Sequence, residues 1–102
     1  MIYEVMYSQQ AKRDINEIID FYIYEACNER YAKYLENAIR LKISELDLFP
    51  ERYRKWEYAK KEENIRIMSV EHHSVIFLVD KDDKRVIILR IFHSARNIKK
   101  IY

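Results

Sequence analysis

The sequence predicts an α+β fold of order β-α-α-β-β-β, in which an N-terminal helical hairpin packs on a mainly antiparallel four-stranded sheet. Apolar residues recur at helical spacing through residues 9–49, and three runs of β-branched residues follow within residues 65–93. An alternating run at residues 2–7 adds a strand before the helices. The 102 residues are enough for one hydrophobic core, so we expect a single domain over residues 1–102.

The first two elements are an opening strand and a long helix. Residues 2–7 alternate in the manner of a strand. Ser8 has the side chain of an N-cap, and the helix after it is predicted to run from about residue 9 to residue 27. Its apolar face is formed by Ala11, Ile15, Ile18, Ile19, Tyr22 and Ala26.

A second helix follows almost at once. Asn28 is its predicted N-cap, and Phe49-Pro50 ends it because proline cannot continue a helix. Two long helices joined by so few residues must lie antiparallel, which makes them a hairpin. The inward stripe of the second helix is Ala32, Leu35, Ile39, Ile43 and Leu46.

The C-terminal half is predicted to form an antiparallel meander. Residues 51–63 are heavily charged and show no clean period, which indicates a loop with at most a short edge segment. Its strands are Ile65–Val70, Ser74–Val79 and Arg85–His93. His72 and His73 are predicted to fall in the first turn. The last strand is apolar on both faces at residues 86–89, so we expect it to be central in the sheet.

The composition excludes several classes of protein. Glycine is absent, which argues against phosphate-binding loops of the P-loop or dinucleotide type. A single cysteine excludes an internal disulfide and suits a reducing, cytoplasmic location. We expect neither a secretory signal nor a membrane-spanning segment. Residues 81–102 hold seven basic and two acidic side chains, so this end should attract phosphate or an acidic partner, unless the charge is only solubilising.

Four residues are candidates for phosphodiester chemistry: Arg66, His93, Arg96 and Tyr102. If the strands that carry them are adjacent, Arg66, His93 and Arg96 converge near one edge of the sheet. Arginine stabilises a phosphate, histidine transfers protons near neutral pH, and tyrosine stacks on a base. The alternative is structural, with strand arginines solvating a sheet face and the C-terminal tyrosine docking the tail.

Other reactive side chains are expected to be structural. His72 and His73 are adjacent in a turn, where their side chains diverge, so we expect no metal site. Cys27 has no basic partner fixed beside it and is expected to be a core or boundary thiol. Helical spacing predicts packing, in the core or at an interface, for Tyr22, Tyr24, Tyr31 and Tyr34.

Short motifs follow one another along nearly the whole chain in an order typical of one family. They are Ser8-x-x-Ala11-x-x-Asp14-Ile15-x-x-Ile18, Ile43-x-x-Leu46-x-x-Phe49-Pro50, Ile65-Arg66-x-Met68, Val75-Ile76-Phe77-x-Val79-Asp80 and Val86-x-Ile88-x-Arg90-Ile91-x-His93-x-Ala95-Arg96-Asn97. Together they resemble toxins of the RelE/ParE superfamily, from type II toxin–antitoxin systems. The long hairpin, the Phe-Pro stop and the His-x-Ala-Arg-Asn ending resemble the ParE branch more than the RelE branch.

The resemblance implies a growth-inhibiting toxin. ParE-like toxins are associated with poisoning DNA gyrase, whereas RelE-like toxins cut messenger RNA in the ribosomal A site. In a RelE-like, metal-independent ribonuclease, the active residues would match Arg66, Arg96 and Tyr102, with His93 as a further acid or base. A non-toxic nucleic-acid-binding module is a third possibility.

The resemblance also implies partners. We expect a cognate antitoxin that wraps the toxin in a hetero-oligomer, a role in plasmid stabilisation, and no cofactor. The target, gyrase or the ribosome with its messenger, would be bound by the basic residues Arg90, Arg96, Lys99 and Lys100. Ser94 replaces a usual glycine, and His73 and Phe77 stand where the family often has tyrosines. Because Phe77 has no hydroxyl, it cannot take over a tyrosine's hydrogen bond, which weakens the catalytic inference.

Overall fold

A computed structural model of the protein describes residues 2–95. Within these residues the elements follow the predicted order β-α-α-β-β-β, so the predicted fold class is confirmed. The strands are β1 Glu4–Tyr7, β2 Ile65–Val70, β3 His73–Asp80 and β4 Arg85–His93, and the helices are α1 Gln9–Asp20 and α2 Glu29–Ser44. A π-helical segment, Phe21–Glu25, extends α1, and two 3-10 turns, Glu45–Asp47 and Pro50–Arg52, follow α2.

Both helices begin at the predicted capping residues. The Ser8 hydroxyl accepts a hydrogen bond from the Ala11 N–H at 3.0 Å, and the Asn28 side chain accepts one from the Tyr31 N–H at 3.1 Å. The predicted inward stripe of α2 is also confirmed, since each of its five residues is buried: Ala32, Leu35, Ile39, Ile43 and Leu46. Four of them, Leu35, Ile39, Ile43 and Leu46, pack with Ala11 and Ile15 of α1 against one face of the sheet.

The sheet has the strand order β1-β4-β3-β2, which confirms the predicted inner position of β4. β1 runs parallel to β4, and the other pairs are antiparallel. The register of β3 and β4 shifts by one residue, because Ile76 pairs with Arg90 while Phe77 pairs with Ile88. Leu89 is the extra residue of this β-bulge, and the bulge bends the last part of β4.

The sheet face opposite the helices has a smaller core of its own. Trp56, from the loop between α2 and β2, packs there with Ile67, Ile76 and Phe92. The loop also adds the predicted edge segment, since Lys55 forms an antiparallel bridge with Arg66 of β2. The loop therefore stays attached to the sheet although its sequence has no period.

Two local predictions are wrong, and a third, core packing of the four tyrosines, holds for two of them. His73 is the buried first residue of β3, because the turn before it needs only two residues, Glu71 and His72, both with positive φ. Cys27 is exposed and left-handed, with φ 50°, between the π-helical segment and α2. Tyr24 and Tyr34 are exposed, while their neighbours in the same set pack against the core.

In the part of the chain that the structure describes, no helix is long and apolar enough to cross a membrane.

Candidate functional site: a groove with two histidines

A concave surface of the described residues lies where α1 crosses the end of the sheet. β1 stops at Tyr7, opposite Ile88, whereas β4 continues to His93. α1 and the π-helical segment pass over this extension and leave an open groove of about 360 Å³. Its lining consists of Asp14, Glu17, Ile18, Phe21, Tyr22, His73, Ile91, Phe92 and His93.

Asp14 forms the polar part of the groove wall. Its buried carboxylate accepts hydrogen bonds from the Ile91 N–H at 2.9 Å and from the Gln10 side chain at 2.9 Å. Arg90 adds two more, from Nε at 2.8 Å and from Nη2 at 3.2 Å. A buried carboxylate is tolerated only with such donors, and here it also bonds the edge of β4 beyond the end of β1.

Arg90, predicted to bind the target, is largely engaged within the fold. Its side chain is 20% exposed, and its guanidinium forms an ion pair with Asp14. The neighbouring carboxylate balances its charge, so Arg90 offers a partner only a small part of its surface. Its role in target binding stays a prediction.

The two histidines of the groove are in contact. His73 and His93 are paired residues of β3 and β4, and their rings meet edge to face with centroids 5.2 Å apart. Nδ1 of His73 lies 2.7 Å from the Glu71 carbonyl oxygen. Because a carbonyl oxygen only accepts hydrogen bonds, Nδ1 carries the hydrogen. Burial lowers the pKa of His73 below its usual value, so its ring is neutral at pH 7.

The tautomer of His93 limits what that residue does chemically. Its Nδ1 accepts a hydrogen bond from the Ala95 N–H at 3.1 Å, so the proton of the neutral ring is on Nε2. The ring nitrogen with a lone pair is thus already occupied. In this geometry neutral His93 is a hydrogen-bond donor, and action as a base requires the Ala95 contact to break.

Arg66, the other described candidate, lies elsewhere. It donates from Nη1 to the carbonyl oxygens of Glu51 and Tyr53, at 3.1 and 2.8 Å, and from Nε to Asn64 at 3.0 Å. Its side chain is 16% exposed, and it also forms an ion pair with Glu51 at 3.4 Å. These contacts attach the loop after α2 to the sheet.

The predicted convergence of Arg66 with His93 is therefore wrong. β3 lies between β2 and β4, and Arg66 pairs with Phe77, whereas His93 pairs with His73. Phe77 and His73 are four residues apart, which is about 13 Å along the strand. β2 and β4 are two strand spacings apart, which adds about 10 Å between Arg66 and His93 in the perpendicular direction.

The remaining sequence candidates, Arg96, Lys99, Lys100 and Tyr102, lie outside the described residues. For metal binding, residues 2–95 contain no group of three or more histidine, cysteine, aspartate or glutamate side chains placed to hold an ion.

Sequence reasoning missed both pairs that build the groove, Asp14 with Arg90 and His73 with His93. One signal was present for the first pair. Asp14 falls beside Ala11 and Ile15 on the apolar face of α1, where an unpaired carboxylate is costly. An acid at such a position indicates a buried partner, but it does not identify that partner.

Two helices on one face of a four-stranded mixed sheet form the fold of RelE/ParE toxins, as solved structures show. The chromosomal ParDE system of P. aeruginosa contains a chain 19% identical to this one, with a TM-score of 0.73, covering 90% of this chain and 96% of that chain. The RelE–RelB complex of Pyrococcus horikoshii gives 18% identity, a TM-score of 0.67, and coverage of 95% and 100%. A mutant of E. coli RelE in the free state gives 10% identity, a TM-score of 0.66, and coverage of 93% and 86%.

The sequence itself defines the family. Residues 5–98 match the family described as ParE toxin of type II toxin-antitoxin system, parDE. The chain therefore belongs to the ParE toxin family. No curated protein matches it significantly. The predicted resemblance to RelE/ParE toxins is confirmed, whereas the structural likenesses, at these identities, concern the fold alone.

Proposed function

We propose that this protein arrests bacterial growth by inhibiting DNA gyrase in the cytoplasm, and that a cognate antitoxin neutralises it in a hetero-oligomer. The observation that carries the proposal is the match to the ParE toxin family over residues 5–98. Gyrase is the target associated with the ParE branch of the superfamily. In a plasmid or a chromosome, such a pair acts in stabilisation of the DNA that encodes it.

The hydrogen bonds of Arg66 and His93 within the fold favour gyrase inhibition over RNA cleavage. Arg66 is engaged with Glu51, Tyr53 and Asn64, and His93 has its Nδ1 lone pair occupied by the Ala95 N–H. A ribonuclease needs a free base and a free cation close to one phosphate. Arg66 and His93 do not supply that pair.

The groove is the surface that we assign to the antitoxin. Its lining is largely apolar, with the partly buried Ile18 and Tyr22, and Phe21 stands 54% exposed at its rim. A helix or an extended segment that folds on binding buries its apolar side chains in such a groove. The toxin-antitoxin complex RelBE2 of Mycobacterium tuberculosis contains a chain with a similar fold, at 16% identity and a TM-score of 0.62.

A RelE-like ribonuclease is the second candidate. It is favoured by the likeness to the RelE structures and by the six-residue spacing from Arg96 to Tyr102. In this case the 2′-hydroxyl attacks the phosphate, Arg96 stabilises the charge, and Tyr102 stacks on a base.

The experiment that tests the proposal compares the two targets directly. The protein is expressed alone and with the product of the adjacent reading frame, and the purified protein is added to gyrase supercoiling assays and to translating ribosomes. We expect growth arrest, rescue by the neighbour, loss of supercoiling and intact messenger. Cleavage in the A site that slows on deletion of Tyr102, with normal supercoiling, would establish the second candidate instead. Normal growth at confirmed expression contradicts both.

A further inference from the structure

Leu48 and Phe49, directly after the first 3-10 turn, are large apolar residues that face solvent. Leu48 is 45% exposed and Phe49 is 76% exposed. The backbone of Phe49 is left-handed, with φ 47° and ψ 52°, although the residue is bulky and precedes Pro50. Both properties disfavour that conformation. α2 ends at Ser44 and the 3-10 turn after it ends at Asp47, so the helix stop does not explain an exposed phenylalanine at position 49.

The surrounding structure holds Phe49 in this conformation. The Arg52 guanidinium donates to the carbonyl oxygens of both Leu48 and Phe49, and the Arg52 N–H donates to Phe49 as well, at 3.1 Å. On either side of the pair, Leu46 and Pro50 are buried. The side chain of Phe49 is thus presented on a fixed backbone, and a fixed aromatic loses little entropy on binding.

The surface beside Phe49 is cationic. A shallow cavity of about 690 Å³ is lined by Tyr3, Phe49, Pro50, Glu51, Arg52 and Lys84. The Lys84 ammonium stands 5.5 Å from the centre of the Tyr3 ring. Within the described residues, neither Arg52 nor Lys84 forms an ion pair with a carboxylate. The Glu51 carboxylate at the same edge is engaged with Asn64, Arg66 and Lys81.

We propose that Leu48 and Phe49 form a docking knob for the protein that this toxin inhibits. Because the Phe49 side chain is 76% exposed on a fixed backbone, its partner must offer a preformed apolar pocket, and Arg52 and Lys84 require carboxylates at the rim of that pocket. A folded target has such pockets, whereas an antitoxin segment that folds on binding needs a groove. The aliphatic side chain of Leu48 also favours a protein pocket over stacking on a base. The inference rests on the proposed function.

The docking knob is far from the groove that contains His73 and His93. Glu4, next to Tyr3, pairs with Arg85 at the start of β4, whereas His93 ends that strand. Eight residues of strand correspond to about 26 Å. The two surfaces are therefore separable by mutation.

Phe49→Gly is the decisive variant, because glycine keeps the left-handed backbone and removes only the side chain. Leu41→Ala is the matched control, since Leu41 is a 64% exposed apolar residue of α2. Growth arrest, affinity for purified DNA gyrase and the urea denaturation midpoint are measured for both. We expect Phe49→Gly to abolish arrest and to weaken gyrase binding about 30-fold or more at an unchanged or higher midpoint, as at an interface hot spot. Leu41→Ala should behave as the wild type, and Phe49→Tyr should retain arrest.

Three results overturn the inference. A lowered midpoint of Phe49→Gly means that Phe49 is structural. If Phe49→Gly still arrests growth, the knob does not dock the target. This holds whether or not the antitoxin still neutralises the variant. A wild-type chain that neither arrests growth nor binds gyrase contradicts the proposed function, and the docking proposal fails with it.

Discussion

At the scale of single residues, Asp14 is a charged side chain on the inward face of α1. Four N–H donors surround its carboxylate, two of them from Arg90. Removing one member of a buried ion pair leaves the other charge without compensation. The cost of that loss is far larger than the value of an ion pair at the surface.

We therefore predict that Asp14→Ala lowers the free energy of unfolding by about 3 kcal/mol. Glu36→Ala is the control, since Glu36 pairs with Arg40 at 3.1 Å on the exposed side of α2, where such a pair contributes less than about 0.5 kcal/mol. Urea denaturation measures both. Equal effects of the two substitutions would show that burial of Asp14 does not decide its contribution.

His73 makes the stability of the protein depend on pH. Burial lowers its pKa below 6.5, and the neighbouring rings of His93 and His72 lower it further, although the hydrogen bond to the Glu71 carbonyl raises it. Between the folded and the unfolded pKa, the unfolded chain binds a proton that the folded chain excludes. The contribution of neutral His73 is thus present above pH 6.5 and is lost as the pH falls through the folded pKa.

We predict that the free energy of unfolding decreases as the pH is lowered below 6.5, and that His73→Phe removes part of this decrease. His72→Gln serves as the control, because His72 is exposed and lies in the turn. Denaturation at a series of pH values measures the slope. A slope that His73→Phe leaves unchanged assigns the dependence to other groups.

At the scale of elements, the turns of this protein are built without glycine. Within residues 2–95 five residues have positive φ: Cys27, Phe49, Glu71, His72 and Lys84. Each adopts a left-handed conformation that glycine adopts without steric cost, and such a conformation costs other residues on the order of 1 kcal/mol. The turn before β4 offers a test, since it contains two lysines with different backbones.

We predict that Lys84→Gly, at φ 55°, raises the free energy of unfolding by up to about 1 kcal/mol. Lys81→Gly, in the same turn but without positive φ, should lower it by about 0.5–1 kcal/mol, because glycine adds entropy to the unfolded chain there and the exposed ion pair with Glu51, which contributes little, is lost. The difference in denaturation midpoint between the two variants is the measurement. If both substitutions raise the midpoint, or both lower it, the sign of φ does not decide the effect of glycine in this turn.

The elements themselves were predictable from sequence, and the site was predictable only in part. Apolar spacing and the caps Ser8 and Asn28 are local signals, and they located both helices. The turn at His72 was misjudged because no glycine marks it. The contact of Asp14 with Arg90 joins residues 76 positions apart, and such pairings depend on the sheet register, which local patterns do not contain.

At the scale of the whole molecule, positive charge is concentrated towards the C-terminal end of the chain. The basic residues of the C-terminal end are the proposed target-binding set, whereas Arg40 on α2 is exposed and paired with Glu36. A cation in a binding surface contributes to target affinity, and a cation elsewhere on the surface contributes little.

We predict that Arg96→Ala relieves growth arrest more than Arg40→Ala does, at equal levels of folded protein. Colony counts after induction measure arrest, and circular dichroism checks that both variants fold. Comparable arrest by the two variants would show that the C-terminal end is not the working surface.

The parallel pairing of β1 with β4 determines when the protein becomes complete during synthesis. The Ser8 hydroxyl donates to the Leu89 carbonyl oxygen, 81 residues later, so the N-terminal strand pairs with β4 only after residues 85–89 have left the ribosome. The helical hairpin forms from local contacts and folds early, whereas closing so long a loop is slow. The groove, which includes residues 91–93, is therefore absent from every shorter nascent chain.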